Sequence, residues 1–184
     1  MRKIQYLLLI SIILMGSCSH KFDSNILGLE FYQWNLWQDT GTVPGIDLPS
    51  CGWDELHRGL GKLIRIPASL DEHFTTMEEG SVFWYHCRFT LPEQWEGRPV
   101  SLVLEGAGPL VKLFLNQEEV GSFKDQEGAF ELDVSEDIYY TRDNHLAIRV
   151  SNIKEGRPGK LNGITGTVLV KSEISNKEIQ ESIE

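Results

Sequence analysis

Cysteines are few, apolar runs are short, and bases are outnumbered by acids; each shortage removes a class of protein. Three cysteines in 184 residues are too few for a disulfide framework, and no Cys/His spacing resembles a zinc site. The apolar run from Tyr6 to Met15 falls short of the about 20 residues that a membrane-spanning helix needs. Lys and Arg total 17 against 27 Asp and Glu, a formal charge of −10 with no basic stripe. That balance argues against nucleic acid and against electrostatic docking to anionic lipid. There is no internal repeat, no helical stretch with convincing length or caps, and no G-x-S-x-G elbow. What remains has the composition of a globular protein and a length that suits one domain with a full core.

The first feature present is at the N-terminus. Arg2-Lys3, the apolar run and Gly16-Ser17-Cys18 follow the signal-peptide pattern of a charged head, a 7–15-residue apolar stretch and a small-residue cut site. Leu14-Met15-Gly16-Ser17-Cys18 resembles the lipobox of bacterial lipoproteins, which implies cleavage before Cys18 and lipid on its thiol. An ordinary signal peptide cut near Ser17 is the alternative, and it leaves the cysteine at that junction without a reason. Two or three acyl chains, at roughly 0.8 kcal/mol per buried methylene, would anchor the chain stably. The expected organisation is a lipoprotein signal peptide over 1–17, a tether over 18–27, a domain over 28–171 and a polar tail over 172–184. Removing Arg2 and Lys3 takes the formal charge to −12. Ser19-His20-Lys21 lacks the aspartate associated with inner-membrane retention, so the expected address is the outer membrane of a bacterial envelope.

The body of the chain alternates. Tyr85, Cys87, Phe89 and Leu91 share one face of a run that Pro92 ends, because proline cannot donate to a ladder. Val100, Leu102 and Leu104 alternate up to Gly106-Ala107-Gly108-Pro109; Val111, Leu113 and Leu115 follow, up to a turn at Asn116-Gln117. Phe130-Leu132-Val134, Leu146-Ile148-Val150 and Val168-Val170 continue the series. Many short strands separated by turn residues predict an all-β fold, an antiparallel β-sandwich. Cys87 reads as a small core residue. A bond to Cys51 stays open, with two unpaired thiols the favoured reading.

The order of these runs resembles the N-terminal sugar-binding-like domain of glycoside hydrolase family 2. Trp84-Tyr85-His86-Cys87-Arg88-Phe89-Thr90-Leu91-Pro92 is similar to its "WYRxxFxLP" strand, and Ile66-Pro67-Ala68-Ser69-Leu70 to its "VPGSW" segment with Leu70 for the tryptophan. Leu104-Glu105-Gly106-Ala107 resembles "FEGV", and Leu115 to Gly121 resembles "VNGxxVG". Gly128 to Ser135 resembles "PFxxDIT", Asn144 to Val150 "NxLaVrV", and Gly163 to Val168 "GIxGxV". The resemblance covers Ile66 to Val170 and implies a galactose-binding-like jelly roll. It departs at Gln117, which replaces the turn glycine and favours a longer turn over a two-residue type I′ hairpin.

In that family the catalytic glutamates belong to a separate (β/α)₈ barrel of about 250 residues. Here 14 residues follow Val170, and no carboxylate pair is set up by motif for retaining hydrolysis. The expectation is therefore a non-catalytic carbohydrate-binding or glycosidase-accessory envelope lipoprotein. A subunit docking on a glycoside hydrolase, and a remnant lacking its barrel, are the alternatives. Sugars present C–H faces to indole rings and hydroxyls to polar groups. Candidate binding residues are Trp53, Trp37, Trp34, Trp84, Arg88, Asp125 and Glu127, with Trp53, beside Gly52 and Asp54, the best candidate for an exposed ring. Large aromatics equally dominate sandwich cores. The loop expected at Lys124 to Gly128 aligns with one facing the barrel in the family. The five histidines show no paired spacing and read as ordinary surface or strand residues. No cofactor or metal is expected; the resemblance admits a structural Ca²⁺, but no ligand series supports one. Expected partners are a glycan, or a glycoside hydrolase or other envelope protein, and the membrane through the lipid; nucleic acid is not among them.

Overall fold

The computed structural model describes residues 25–75, 77, 81–151 and 162–173, without the side chains of residues 125–127. The signal peptide, Cys18, most of the tether and nearly all of the polar tail lie outside the described residues. No helix among the described residues is long and apolar enough to cross a membrane.

The described chain is an antiparallel β-sandwich. In chain order its strands are β1 (Ile26–Gly28), β2 (Trp34–Asp39), β3 (Lys62–Ile64), β4 (Ala68–Ser69), β5 (Val82–Phe89), β6 (Val100–Leu115), β7 (Glu118–Asp133), β8 (Asn144–Ser151), β9 (Gly163–Ile164) and β10 (Val168–Ser172). One short helix, α1 (Trp53–His57), lies between β2 and β3. The strand order is β1-β10-β6-β8-β5-β2-β3, with β7 along β6.

The long β6–β7 hairpin joins the two layers. Its open end pairs Val100–Leu104 with β10, while its turn end pairs Leu110–Leu115 with β8. Between them, register shifts at Glu105/Ala107 and Ala107/Leu110 bend the pair; bulges re-aim a strand in this way. Gly106, at φ 58°, supplies the bend with a backbone that other residues resist. The segment Gly106 to Pro109, expected to end a strand, thus lies inside one. Lys124 to Gly128, expected as a loop, likewise belongs to β7.

The core is filled by the inward alternate residues: Tyr85, Cys87 and Phe89 of β5, Leu102, Leu104, Val111 and Leu113 of β6, Leu146, Ile148 and Val150 of β8, and Val168 and Val170 of β10. Burial of each large side chain is worth roughly 1.5–3 kcal/mol. Cys87 is buried and unpaired, and Cys51 is half-buried and unpaired. The expected longer turn after β6 is corrected. Leu115 pairs with Glu118, and Asn116 (φ 54°) and Gln117 (φ 82°) both take positive φ, as a two-residue type I′ turn requires. The Asn116 amide secures it, donating to Asp137 O at 2.8 Å and to Asn144 Oδ1 at 3.0 Å.

The opposite face of the β2–β5–β8–β6 layer is covered as well. Trp84, Val82, Phe114 and Ala147 form a second apolar cluster with Leu56 of α1, against which Trp37, Cys51 and Trp53 pack. Buried Asp39 organises the chain leading to α1. Its carboxylate accepts from Gly41 N (3.0 Å), Ser50 N (2.9 Å), Ser50 Oγ (2.5 Å) and Trp84 Nε1 (3.2 Å). Asp47 adds ion pairs to Lys112 (2.9 Å) and Arg149 (3.4 Å) on the sheet.

Candidate functional site

Side chains at β5 positions 82, 84, 86 and 88 point away from the core, and register places their neighbours. His86 lies opposite Asn35 of β2 and Ala147 of β8, and Arg88 lies opposite His145. His86 and His145 are thus diagonal neighbours on one face, within reach of long side chains. His57, the last residue of α1, is laid over them by the packing of Leu56 and Trp53 on Trp84 and Phe114.

The result is a cluster of three imidazoles. His86 Nε2 and His145 Nδ1 are 3.0 Å apart. Their ring centroids lie 5.3 Å apart with planes 11° from parallel, dimensions that fit two nearly coplanar rings meeting edge to edge through a hydrogen bond. His57 stacks on His145 at 4.1 Å and 20°. Burial, then the nearby His57, His145 and Arg88, push His86 down to about 3. Burial and then His145 push His57 down to about 4, and burial and then Arg88 lower His145. All three are neutral imidazoles at neutral pH, and protonating them opposes the fold as pH falls below 6.5.

A cavity of about 460 Å³ opens over the cluster, lined by Tyr32, Gln33, Asn35, His57, Arg58, Gly59, His86 and Arg88. A second hollow of about 420 Å³ adjoins it and shares Tyr32 and Gln33, adding Phe31, Leu63, Ile64 and Arg65. Phe31 is 86% exposed and Leu63 62% exposed. Arg88 pairs with Asp143 at 3.6 Å, Arg58 pairs with Glu55, and Asn35 donates to Gly59 O at 2.9 Å. The surface thus combines an aromatic face with amide and guanidinium donors.

Of the residues singled out in the sequence whose side chains the structure describes, Arg88 alone lines this cleft. Trp34 and Trp84 are fully buried, so no ring face is free for a sugar; Trp34 Nε1 donates to Leu29 O and Trp84 Nε1 to Asp39. Trp53 and Trp37 are half-buried against the second cluster. Trp53 is therefore a packing residue of α1, its ring meeting Trp84, Phe114 and His57, and the expectation of an exposed ring is corrected. Asp125 and Glu127 lie in β7, and their side chains are outside what the structure describes. The reading of the histidines as ordinary residues is revised: three of the five converge. Spacing along the chain carries no sign of this, because His86 and His145 are 59 residues apart.

The fold is a curled antiparallel β-sandwich. Among solved structures it is shared by a glycosyl hydrolase family 2 member from Bacteroides cellulosilyticus, with TM-score 0.63 and 18% identity over 81% of this chain and 21% of that one. It is also shared by a β-glucuronidase from an uncultured Clostridium sp., with TM-score 0.61 and 21% identity over 80% and 28%. In sequence, the chain is 33% identical over 72 residues to a β-galactosidase of Thermoanaerobacter pseudethanolicus, covering 39% of this chain and 10% of that protein. No family model matches. The chain thus spans about a tenth of the β-galactosidase and 21% and 28% of the two solved glycosidases.

Proposed function

We propose that this chain is a non-catalytic carbohydrate-binding module, held by lipid at Cys18 on a bacterial envelope, that serves glycan capture beside a glycoside hydrolase. The observation that carries the reading is the cleft over β2 and β5. Phe31 and Tyr32 offer apolar faces to pyranose C–H surfaces, and Gln33, Asn35, Arg58 and Arg88 offer donors to hydroxyls and carboxylates. Two guanidinium groups at one opening, each with an exposed carboxylate partner (Glu55, Asp143) that an incoming uronate would replace, suit the planar carboxylate of a uronic acid better than a neutral sugar. The fold likeness to glycosidases supports the assignment to glycan chemistry. The lipobox-like Leu14 to Cys18 supports the address. A tether of roughly nine residues would hold the module within about 30 Å of the bilayer, where captured chains are presented to membrane-held enzymes.

Binding to an array of neutral and uronate-containing glycans, comparing the native chain with Phe31→Ala and Arg88→Ala, tests the cleft. Metabolic labelling with an alkyne fatty acid tests the anchor, since Cys18→Ala must abolish the label.

A second reading has its own observation. β3 ends the strand order, and exposed Leu63 and Phe31 stand at that end of the layer. An apolar edge that carries no further strand among the described residues suits docking on a glycosidase chain. Pull-down from membranes with the native chain, set against Leu63→Glu, tests it: loss of a captured glycosidase in the variant supports docking, and no stable partner argues against it.

A further inference from the structure

We propose that His57, His86 and His145 bind one divalent transition-metal ion of the zinc or copper type, with an open coordination position facing the cleft. One nitrogen of each ring lies within 4.8 Å of the others. The His86–His145 pair already directs two ring nitrogens at one point, 3.0 Å apart. Around a tetrahedral zinc with Zn–N bonds of about 2.0–2.1 Å, adjacent nitrogens sit roughly 3.3–3.4 Å apart. An ion taking over from the shared proton therefore needs the pair to open by only a few tenths of an ångström and each ring to tilt by roughly 35°, so that both lone pairs meet at an ion beside the N–N line. That proton moves to the other nitrogen of the ring that donated it, so two neutral imidazoles become two metal ligands without net proton release.

The third donor is His57. Its Nε2 is buried and has no hydrogen-bond partner among the described residues, a cost that metal ligation would remove. Because the ring is stacked over His145, its lone pair points past the shared point. Capture requires the imidazole to turn about its Cβ–Cγ bond, and at the end of α1 it is half-buried with the cavity beside it. Imidazole-only donor sets select zinc, copper or nickel over hard cations, and three histidines with an open fourth position are an arrangement found in catalytic zinc sites. Arg88 opposes a cation here, while Asp143 pairs with Arg88 at 3.6 Å and Asp54 acts on His57 in the favourable sense.

The metal site stands on geometry that the glycan reading does not use, and each has its own titration. The full chain, stripped with a chelator, is titrated calorimetrically with Zn²⁺ alone, and with Co²⁺ while visible absorption is followed. The expected result is one equivalent of Zn²⁺ bound with micromolar affinity or better, and Co²⁺ bands of tetrahedral, nitrogen-rich type. His57→Asn and His145→Asn should each weaken Zn²⁺ binding at least about 100-fold, while the His20→Asn/His73→Asn double variant binds as before. Both positions are half-buried, so these variants keep the test decisive even where His86→Asn fails to fold. Absence of stoichiometric uptake, or uptake that His57→Asn and His145→Asn leave unchanged, would overturn the site.

Discussion

His86 Nε2 sits 3.0 Å from His145 Nδ1 across the β5–β8 pair, beneath the last residue of α1. A hydrogen bond between two imidazoles needs one nitrogen protonated and the other bare, so the pair carries at most one charge while it holds. Truncating one ring leaves the other's nitrogen buried and unpaired, at a cost of about 1–3 kcal/mol. In metal-free buffer with chelator, urea unfolding of His86→Ala, His145→Ala and the double variant should show a favourable coupling of about 1 kcal/mol. Additive single effects would mean that the rings merely pack.

Asp39 is the tie between the sheet and the segment that delivers His57. It is 3% exposed and accepts four hydrogen bonds, among them those from Ser50 and Trp84 Nε1. Asp39→Ala frees a buried indole N–H and unpins residues 40–52, so it should cost about 3 kcal/mol by denaturant unfolding. Amide exchange should accelerate through α1 before it does in β6. A loss under 1 kcal/mol, with exchange in α1 unchanged, would contradict this role.

Gln117 holds φ 82° in the type I′ turn, a conformation that costs a residue with a Cβ roughly 1–2 kcal/mol. Gln117→Gly should therefore stabilise the chain by about 0.5–1 kcal/mol, less than the full strain because glycine also loosens the unfolded state. An equal or lower melting temperature would show that the turn is not strained at this residue.

Burial pushes the Cys87 thiol up to about 12, from an ordinary value of 9.0. The folded state thus keeps a proton that the unfolded chain releases above pH 9. Stability from this group is complete below pH 9 and declines as pH rises towards 12. The loss should be on the order of 2 kcal/mol by pH 10.5. Cys87→Ala should flatten that stretch of the pH–stability curve. At pH 8, iodoacetamide should label half-buried Cys51 in the native protein and Cys87 only after unfolding; native labelling of Cys87 would contradict the packing.

The sandwich was legible because its inner faces alternate. Tyr85, Cys87 and Phe89, or Leu146, Ile148 and Val150, declare a core side by period alone. The site was not legible, for two physical reasons. First, β5 is buried on both faces from Val82 to Cys87, so the period that sends Trp84 and His86 outward reads as exposure, and Trp84 looks like a free aromatic. Second, the histidine cluster depends on register between β5 and β8 and on a five-residue helix capping the sheet. Neither local propensity nor spacing encodes these, since three distant segments are brought together only by packing. Gln117 shows a related limit: tertiary hydrogen bonds through Asn116 hold a turn that its own residues disfavour.

Calorimetric titration of the full chain with uronate-containing oligosaccharides, neutral counterparts serving as controls, decides whether the cleft over β2 and β5 takes an acidic glycan. Saturable binding is predicted for the uronates, weakened at least about tenfold by Phe31→Ala and by Arg88→Ala at unchanged melting temperature. No oligosaccharide bound above background, or binding that persists undiminished in both variants, would mean that the cleft is not a glycan site.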